Sequence, residues 1–151
     1  MINKIVSTAN DGTPIAALIV AKELGFVIGG TMPKGYLTSS GIKSEYALDY
    51  GMKCNQSYKQ SSAEYQNISE SDGTLVLFAG RMDEVLEATI KSLKKPYYPV
   101  DLSKPGLIKD VLAWADRFDM KCLNVIGTCG HGDVVGESCE YLFRLLNDIK
   151  R

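Results

Sequence analysis

Short apolar runs alternate with amphipathic segments along the whole chain. Five apolar runs predict strands, at residues 4–7, 26–29, 74–79, 97–101 and 123–127. Each run is short and lacks the alternation of apolar and polar side chains that marks a half-exposed strand. Such runs are typical of strands that helices cover on both faces.

The segments between these runs have helical spacing. The first predicted helix starts at Thr13 as its cap, has Pro14 at its first position and ends at Gly25. Three later helices are predicted from apolar side chains that recur on one face. These are Met82, Val85, Leu86, Thr89, Ile90 and Leu93; then Leu107, Ile108, Val111, Leu112, Ala115 and Phe118 after a Ser103 cap; then Leu142, Leu145, Leu146 and Ile149 within residues 136–149.

Strands that alternate with helices predict βαβ units, right-handed crossovers and a parallel sheet. We therefore expect one domain over residues 1–151, an α/β three-layer Rossmann-like sandwich with a parallel sheet of about five strands. Residues 31–71 are less regular. Their later half predicts a helix capped by Ser57, and their earlier half a long functional loop or a loop with one short helix.

Composition and charge limit which partners and which cellular location we expect for the protein. The net charge of the 151 residues is −1, so we expect no nucleic acid and no membrane as partner, and local geometry must hold any anionic ligand. No apolar run approaches the roughly 18 residues of a membrane span, and the first residues lack the apolar core of a signal peptide. Four cysteines without a CxxC pair predict reduced thiols and a cytoplasmic location.

Ligands of open parallel sheets bind beyond the carboxyl ends of the strands. Glycine or small polar residues follow every predicted strand, which lets a backbone approach an anion closely. The candidate ligand-binding residues are Thr8, Asn10, Asp11, Gly12, Thr13, Gly30, Lys34, Gly35, Gly80, Arg81, Gly127 and Thr128. The alternatives are a turn at residues 8–13 that only connects strand to helix, and a solvated lysine on an exposed turn at residues 33–35.

Other motifs add little chemistry. Neither GxGxxG nor GxxxxGK[ST] is present. Cys129, His131, Asp133 and Cys139 are the only cluster of soft ligands, and their spacing does not match a structural zinc site, so no metal site is predicted. No nucleophile elbow occurs, and the catalytic residues are unknown.

A family resemblance extends from Lys4 to about Leu146. It rests on the order and spacing of "KIVS…GT.IAAL…ELG…GG..PKG", "G.I..EY.L", "N..ESDGTLVLF.G", "KKPYYPVDL" and "LNVIG". Together these motifs resemble the molybdenum-carrier family. The resemblance implies a Rossmann-type domain related to the lysine-decarboxylase-like group, which includes the cytokinin-activating phosphoribohydrolases, and a homo-oligomer, expected to be a dimer.

The first turn departs from the family pattern. Where family members have Gly-Gly-Gln-Thr-Gly followed by an Asp-Arg pair, this chain has "TANDG" and then Pro14 and Ile15. Arg81 is a possible substitute for the missing arginine. The PGGxGTxxE signature of the phosphoribohydrolases is absent, so glycosidic cleavage by that route is not expected.

The resemblance implies a binding protein for a small anionic molecule, either a pterin or a nucleotide-like ligand, and its implied cofactor is the molybdenum cofactor. Backbone N–H groups of residues 10–13 would hold the anion, with Lys34 and Arg81 supplying charge. Two alternatives stay open. One is a hydrolase or transferase acting on a phosphorylated nucleoside through Glu84 or Glu87, and the other is a degenerate member with an interaction or scaffold role.

Overall fold

The computed structural model describes residues 1–127 and 134–151. Six parallel strands form the main sheet, and a separate antiparallel hairpin lies beyond its second strand. The main strands are β1 (Lys4–Val6), β2 (Val27–Met32), β5 (Met52–Cys54), β6 (Gly73–Phe78), β7 (Tyr97–Asp101) and β8 (Cys122–Gly127), and the hairpin is β3 (Leu37–Thr38) and β4 (Gly41–Ile42). The predicted α/β fold with a parallel sheet is confirmed, with six strands instead of about five.

Helices cover both faces of the sheet. Apolar side chains of α1, α5 and α6 pack on one face, and those of α3 and α4 pack on the other. The short α2 packs beside β5 through two tyrosines. The bounds are α1 (Thr13–Glu23), α2 (Tyr46–Asp49), α3 (Gln60–Glu70), α4 (Glu84–Ser92), α5 (Ile108–Arg117) and α6 (Val134–Lys150).

The strand order indicates where on the sheet a ligand would bind. Across the sheet the order is β5-β2-β1-β8-β6-β7, so the last strand lies at the centre. From β8, the neighbours β1, β2 and β5 run outward on one side, and β6 and β7 run outward on the other. The helix after β8 covers one face and the helix after β6 covers the other. The carboxyl ends of β8 and β6 therefore flank a topological switch point, where ligands bind in open α/β sheets.

The irregular segment contains more structure than predicted. Residues 31–71 contain the end of β2, the hairpin, α2, the predicted helix α3 and β5, which is the one strand of the main sheet that was not predicted. The prediction missed β5 because it is an edge strand of three residues in which only Met52 is buried. The predicted second strand was also three residues too short at its carboxyl end, since β2 extends to Met32.

The predicted helix caps are wrong in three places. The first helix is preceded by Gly12 without a side-chain cap, and the Thr13 hydroxyl instead bonds Ser138 of α6 at 2.8 Å. The N-cap of α3 is Lys59, two residues after Ser57. The N-cap of α5 is Leu107, and the Ser103 hydroxyl bonds Asp101 instead of the helix start.

Other boundary predictions are confirmed. Gly25 follows the end of α1, where the N–H of Gly25 and the N–H of Phe26 bond the carbonyls of Lys22 and Ala21. The four apolar residues predicted to face inward from the last helix are all buried: Leu142, Leu145, Leu146 and Ile149. Among the described residues, no helix is long and apolar enough to cross a membrane.

Candidate functional site

A cavity of about 260 Å³ opens between α3, α4 and the carboxyl ends of β6 and β8. We refer to it as the α3–α4 cavity. It lies at the switch point between β8 and β6, where an open α/β sheet places its ligand. Its lining residues are Gln60, Ser61, Glu64, Val76, Leu77, Phe78, Arg81, Met82, Asp83, Val85, Leu86, Thr89 and Gly127.

The lining of the α3–α4 cavity has two parts. Apolar side chains of β6, of α4 and of the segment between them form one wall, made of Val76, Phe78, Met82, Val85 and Leu86. Polar and charged groups come from α3 and from the start of α4. A small-molecule site has this composition, an apolar surface with a few polar groups that fix orientation. The predicted apolar stripe on α4 therefore serves both the core, through the buried Ile90, and the cavity.

The turn after β1 is held in place by its own hydroxyl groups. Ser7 Oγ donates to the Pro14 carbonyl at 2.7 Å and accepts from the Ala9 N–H at 3.1 Å. Ala9 is fully buried with φ of 57°, a left-handed conformation that non-glycine residues rarely adopt. Gly12 follows with φ of 91° and ψ of −134°, which only glycine adopts without strain. The conformation of the turn is thus fixed by its own hydrogen bonds and by the glycine at position 12.

The candidate side chains of this turn contact other elements. Asn10 Oδ1 accepts from the Ser39 N–H at 2.8 Å, and Asp11 Oδ1 accepts from the Ser40 hydroxyl at 3.0 Å. Both contacts tie the turn to the β3–β4 hairpin. The Asp11 carboxylate is therefore engaged with Ser40 and does not cap α1.

The start of α1 has backbone donors in a largely enclosed position, since Gly12 and Thr13 are buried and Asp11 is half-buried. Within residues 1–127 and 134–151, no group accepts a hydrogen bond from the N–H of Asp11, Gly12 or Thr13. Unpaired N–H groups at the start of an eleven-residue helix favour an anion.

A hydrogen bond and the close approach of Gly127 to Thr13 bring this turn next to the α3–α4 cavity. The Gln60 side chain lines the cavity, and its Nε2 donates to Thr8 Oγ1 at 2.6 Å. A Cβ built on Gly127, which also lines the cavity, would lie 3.1 Å from the Thr13 Cβ. The turn after β1 therefore adjoins residues that line the cavity, and none of residues 8–13 is itself among the lining residues.

The structure places Lys34 away from this cavity lining. The side-chain Nζ of Lys34 lies 5.2 Å from the centre of the Tyr58 ring, and the backbone N–H of Lys34 donates to the Ser57 carbonyl at 2.8 Å. Gly35 lies in the same short turn (Lys34–Tyr36), and both residues are exposed. An electrostatic contact with an aromatic ring thus accounts for the position of the Lys34 side chain.

Gly80 and Arg81 follow β6, and Arg81 is among the residues that line the cavity. The Gly80 N–H donates to Asp101 Oδ1 at 2.9 Å, and together with donors from Ser103 it holds the pKa of the Asp101 carboxyl below its usual range. Arg81 lines the cavity and forms an exposed ion pair with Glu84 at 3.2 Å. Of the two predicted cations, only Arg81 is among the residues that line the cavity.

Two predicted glycines have packing roles. Gly30 lies inside β2 and not in the loop after it, because β2 is longer than predicted. A Cβ on Gly30 would lie 2.2 Å from the Ser7 carbonyl oxygen, and one on Gly127 would lie 2.1 Å from the Leu77 carbonyl oxygen. Close contact between adjacent strands therefore requires glycine at both positions. Thr128, the last candidate, lies outside the described residues.

Sequence reasoning missed the contribution of α3. Gln60, Glu64 and Asn67 recur at i, i+4 and i+7, so they lie on one helix face. Asn67 is buried and bonds both the N–H and the carbonyl of Thr31 in β2, at 2.8 and 3.0 Å. A polar stripe on the face that packs against the sheet was the available signal.

Glu64 is the most perturbed carboxyl of this region. Burial, followed by repulsion from Asp83, raises the pKa of Glu64 to about 7. No described residue forms a hydrogen bond or an ion pair with its carboxyl group. Strongly perturbed carboxyls in a cleft are concentrated at functional sites.

No metal cluster is found in the described part of the chain. There, no group of three or more His, Cys, Asp or Glu side chains could hold a metal ion. Cys139 is half-buried in α6, and burial raises the pKa of its thiol. The other members of the predicted soft-ligand cluster, Cys129, His131 and Asp133, lie outside the described residues.

Comparisons with known proteins agree with this architecture. The chain is similar to the crystal structure of a "putative molybdenum carrier protein" from Syntrophus aciditrophicus SB, with a TM-score of 0.84 and 25% identity, covering 95% of this chain and 94% of that chain. This similarity confirms the resemblance seen in the sequence. No curated protein matches. The family model described as "Circularly permutated YpsA SLOG family" matches residues 5–142. A central last strand agrees with a permuted order, and the chain belongs to this family.

Proposed function

We propose that this chain binds a small anionic molecule with a flat heterocyclic ring, a nucleotide or a pterin, in the α3–α4 cavity. The observation that carries the proposal is the cavity itself, which combines an apolar wall with polar groups at the switch point between β8 and β6. Its volume of about 260 Å³ lies just below the roughly 300–1,000 Å³ of typical ligand pockets. It suits one bicyclic ring better than a whole dinucleotide.

In this proposal the apolar wall binds the ring of the ligand, and the first turn of α1 binds its anionic group. The ring packs against the apolar wall, where Phe78 and Met82 offer flat and adaptable surfaces. The anionic group points towards the first turn of α1, where the N–H groups of Asp11, Gly12 and Thr13 have no acceptor among the described residues. Arg81 in the cavity lining adds a positive charge. The similarity to a carrier protein supports a binding role.

Among the described residues, the cavity offers contacts for the organic part of the molybdenum cofactor. A pterin ring suits the apolar wall and the polar groups of the α3–α4 cavity. The described cysteines do not line this cavity, since Cys54 is in the edge strand β5, Cys122 starts β8 at the opposite edge of the sheet, and Cys139 is in α6. The described residues thus supply contacts for a pterin and no thiolate for the metal.

Binding is a better interpretation of this geometry than hydrolysis through Glu84 or Glu87. Glu84 is exposed and paired with Arg81, and Glu87 forms an ion pair with Lys91 at 2.9 Å. Neither carboxylate is among the residues that line the cavity. The carboxyl that does line it on α3 is Glu64.

Isothermal titration with GMP, AMP and pterin-6-carboxylate tests the proposal. We expect at least one of them to bind wild-type protein and to raise its melting temperature by linkage. Ser61→Trp places a large side chain at the cavity from an exposed position and should abolish binding. The matched control is Ala88→Trp, which adds the same side chain at an exposed position of α4 outside the cavity lining and should bind as wild type.

Two results would contradict the proposal. One is a wild-type protein that binds none of the three compounds, which would favour the scaffold alternative. The other is equal binding by Ser61→Trp and Ala88→Trp, which would place the ligand outside the α3–α4 cavity.

A further inference from the structure

Glu64 stands apart from the other carboxyl groups around the α3–α4 cavity. Asp83 Oδ1 accepts from the Leu86 N–H at 3.0 Å and so caps α4, and Glu84 pairs with Arg81. Glu64 has neither kind of partner among the described residues. Its carboxyl lines the cavity one helical turn after Gln60.

A partly buried carboxyl without a partner is costly for the folded protein. Burial removes water from Glu64, and the nearby Asp83 adds repulsion, so the pKa of Glu64 rises to about 7. Arg81, the one cation that the described residues contribute to the cavity lining, is engaged with Glu84. A ligand that donates hydrogen bonds to Glu64 would remove this cost.

We propose that Glu64 selects the ring of the ligand, by accepting hydrogen bonds from an edge with two adjacent N–H donors. Guanine and pterin share such an edge, because both contain a 2-amino-4-oxopyrimidine ring with a ring N–H beside the amino group. The inference rests on the proposed binding function and narrows its substrate class.

The chemistry of the carboxylate explains the preference. Its two oxygens lie side by side and only accept, so they match a ring N–H beside an amino group with two charge-assisted hydrogen bonds. Hypoxanthine lacks the amino group and offers one of these donors. The corresponding edge of adenine has no N–H in the ring, so its ring nitrogen faces the carboxylate as a second acceptor. Discrimination is strong because a buried polar group is left unpaired by the wrong ligand.

The remaining polar groups of the cavity are less suited to this role. Gln60 already donates from Nε2 to Thr8 Oγ1, and Asp83 is held by its cap. Ser61 is exposed at the mouth and carries a single hydroxyl. Glu64 is the group that can face the flat edge of a ring lying on the apolar wall.

Titration of GMP, IMP and AMP at pH 8 tests this assignment. Pterin-6-carboxylate is added as a fourth ligand, because it shows whether the site prefers a guanine or a pterin ring. For wild type we expect GMP to bind about tenfold more tightly than IMP and more than about tenfold more tightly than AMP. In Glu64→Gln the side-chain amide replaces one acceptor by a donor. The preference for GMP over IMP and AMP should then fall by about tenfold, while AMP binding is kept.

Glu70→Gln is the matched control. Glu70 is an exposed residue of the same helix and does not line the α3–α4 cavity, so this variant should keep the wild-type preference. AMP binding by Glu64→Gln reports that the variant is folded. A wild type that binds the three nucleotides equally, or a Glu64→Gln variant that keeps the preference for GMP, overturns the inference and leaves the proposed function intact. Binding of none of the four ligands overturns both.

Discussion

The two faces of the sheet are packed in different ways. On the α1–α6 face, small side chains such as Ala16, Ala17 and Ala21 let α1 pack closely, and the Thr13 and Ser138 hydroxyls bond each other in a fully buried contact. On the α3–α4 face, the two helices leave a cavity of about 260 Å³ next to the ends of β6 and β8. The α3–α4 face therefore has space for a guest at the carboxyl ends of β6 and β8, while α1 packs closely on the other face. We refer to the α3–α4 face as the open face.

The two faces also differ in which of their polar side chains have partners within the protein. On the α1–α6 face the Thr13 and Ser138 hydroxyls are paired with each other, and the buried Tyr141 hydroxyl of α6 has no partner among the described residues. On the α3–α4 face, Glu64 and Arg81 line a cavity, and Glu64 has no protein partner among the described residues. A face that needed only stability would not keep such a carboxyl, because a close-packed apolar interior avoids its desolvation cost. The open face is therefore the one we assign to ligand binding.

Truncating one leucine on each face gives the largest expected contrast. Leu142→Ala removes a fully buried side chain of α6 and should lower the free energy of unfolding by about 3 kcal/mol. Leu86→Ala removes a half-buried side chain that already borders the α3–α4 cavity, and should cost about 1 kcal/mol. Urea denaturation of both variants measures the contrast, and equal losses would show that the two faces are packed alike.

Glu64 predicts a pH dependence of stability that belongs to the open face. Because its folded pKa of about 7 lies above the ordinary value of 4.5, the folded state binds the proton more tightly, and stability falls as pH rises through this window. A shift of this size corresponds to about 3 kcal/mol, and partial exposure reduces it to about 2 kcal/mol.

Glu64→Gln should therefore stabilise the protein by about 2 kcal/mol at pH 8 and by almost nothing at pH 4. Urea denaturation of wild type and variant across this range measures the difference. Parallel pH profiles for the two proteins would show that the Glu64 carboxyl is solvated or paired, contrary to our description.

The polar contacts of the two faces should differ by a smaller amount. Ser138→Ala leaves the buried Thr13 hydroxyl without its partner and should cost about 1.5 kcal/mol. Gln60→Ala removes the part-buried contact to Thr8, where water can replace the amide, and should cost about 0.5 kcal/mol. Thermal unfolding of the two variants ranks them, and a larger loss for Gln60→Ala would contradict the comparison.

The two predicted cations give the smallest expected contrast. Arg81→Ala removes a charge from the lining of the α3–α4 cavity and should weaken GMP binding about fivefold. Lys34→Ala removes a side chain that lies over Tyr58 outside the cavity lining, and should change GMP binding less than about twofold. Titration of both variants decides between them, and the opposite ranking would restore Lys34 as the anchor that the sequence suggested.

The fold was predictable because apolar runs and helical stripes are local signals. β6 lies within one residue of its predicted position, and β7 matches it. The edge strand β5 was missed, since three residues with one buried side chain give no periodic signal. The caps at Thr13, Ser57 and Ser103 were wrong because each hydroxyl lies close to a helix start in sequence but bonds a different group in the fold.

The candidate site was harder to predict because it joins elements that are far apart in sequence. Arg81 and Gly127 were named from the loops after strands, and both line the α3–α4 cavity. Gln60 and Glu64 were missed, since a helix that crosses the sheet brings them to the ends of strands they do not follow. The glycine at position 30 has a local reason, its contact with Ser7, that sequence alone does not separate from ligand contact. The dimer and the cytoplasmic location stay predictions.

A crystal structure of the chain grown with GMP tests the central claim most directly, because it locates the ligand without relying on any variant. We predict electron density for the guanine ring against the apolar wall formed by Phe78 and Met82, with its amino edge at Glu64 and its phosphate towards the start of α1. A ring found elsewhere on the protein, with the space between α3 and α4 filled only by water, would contradict the assignment.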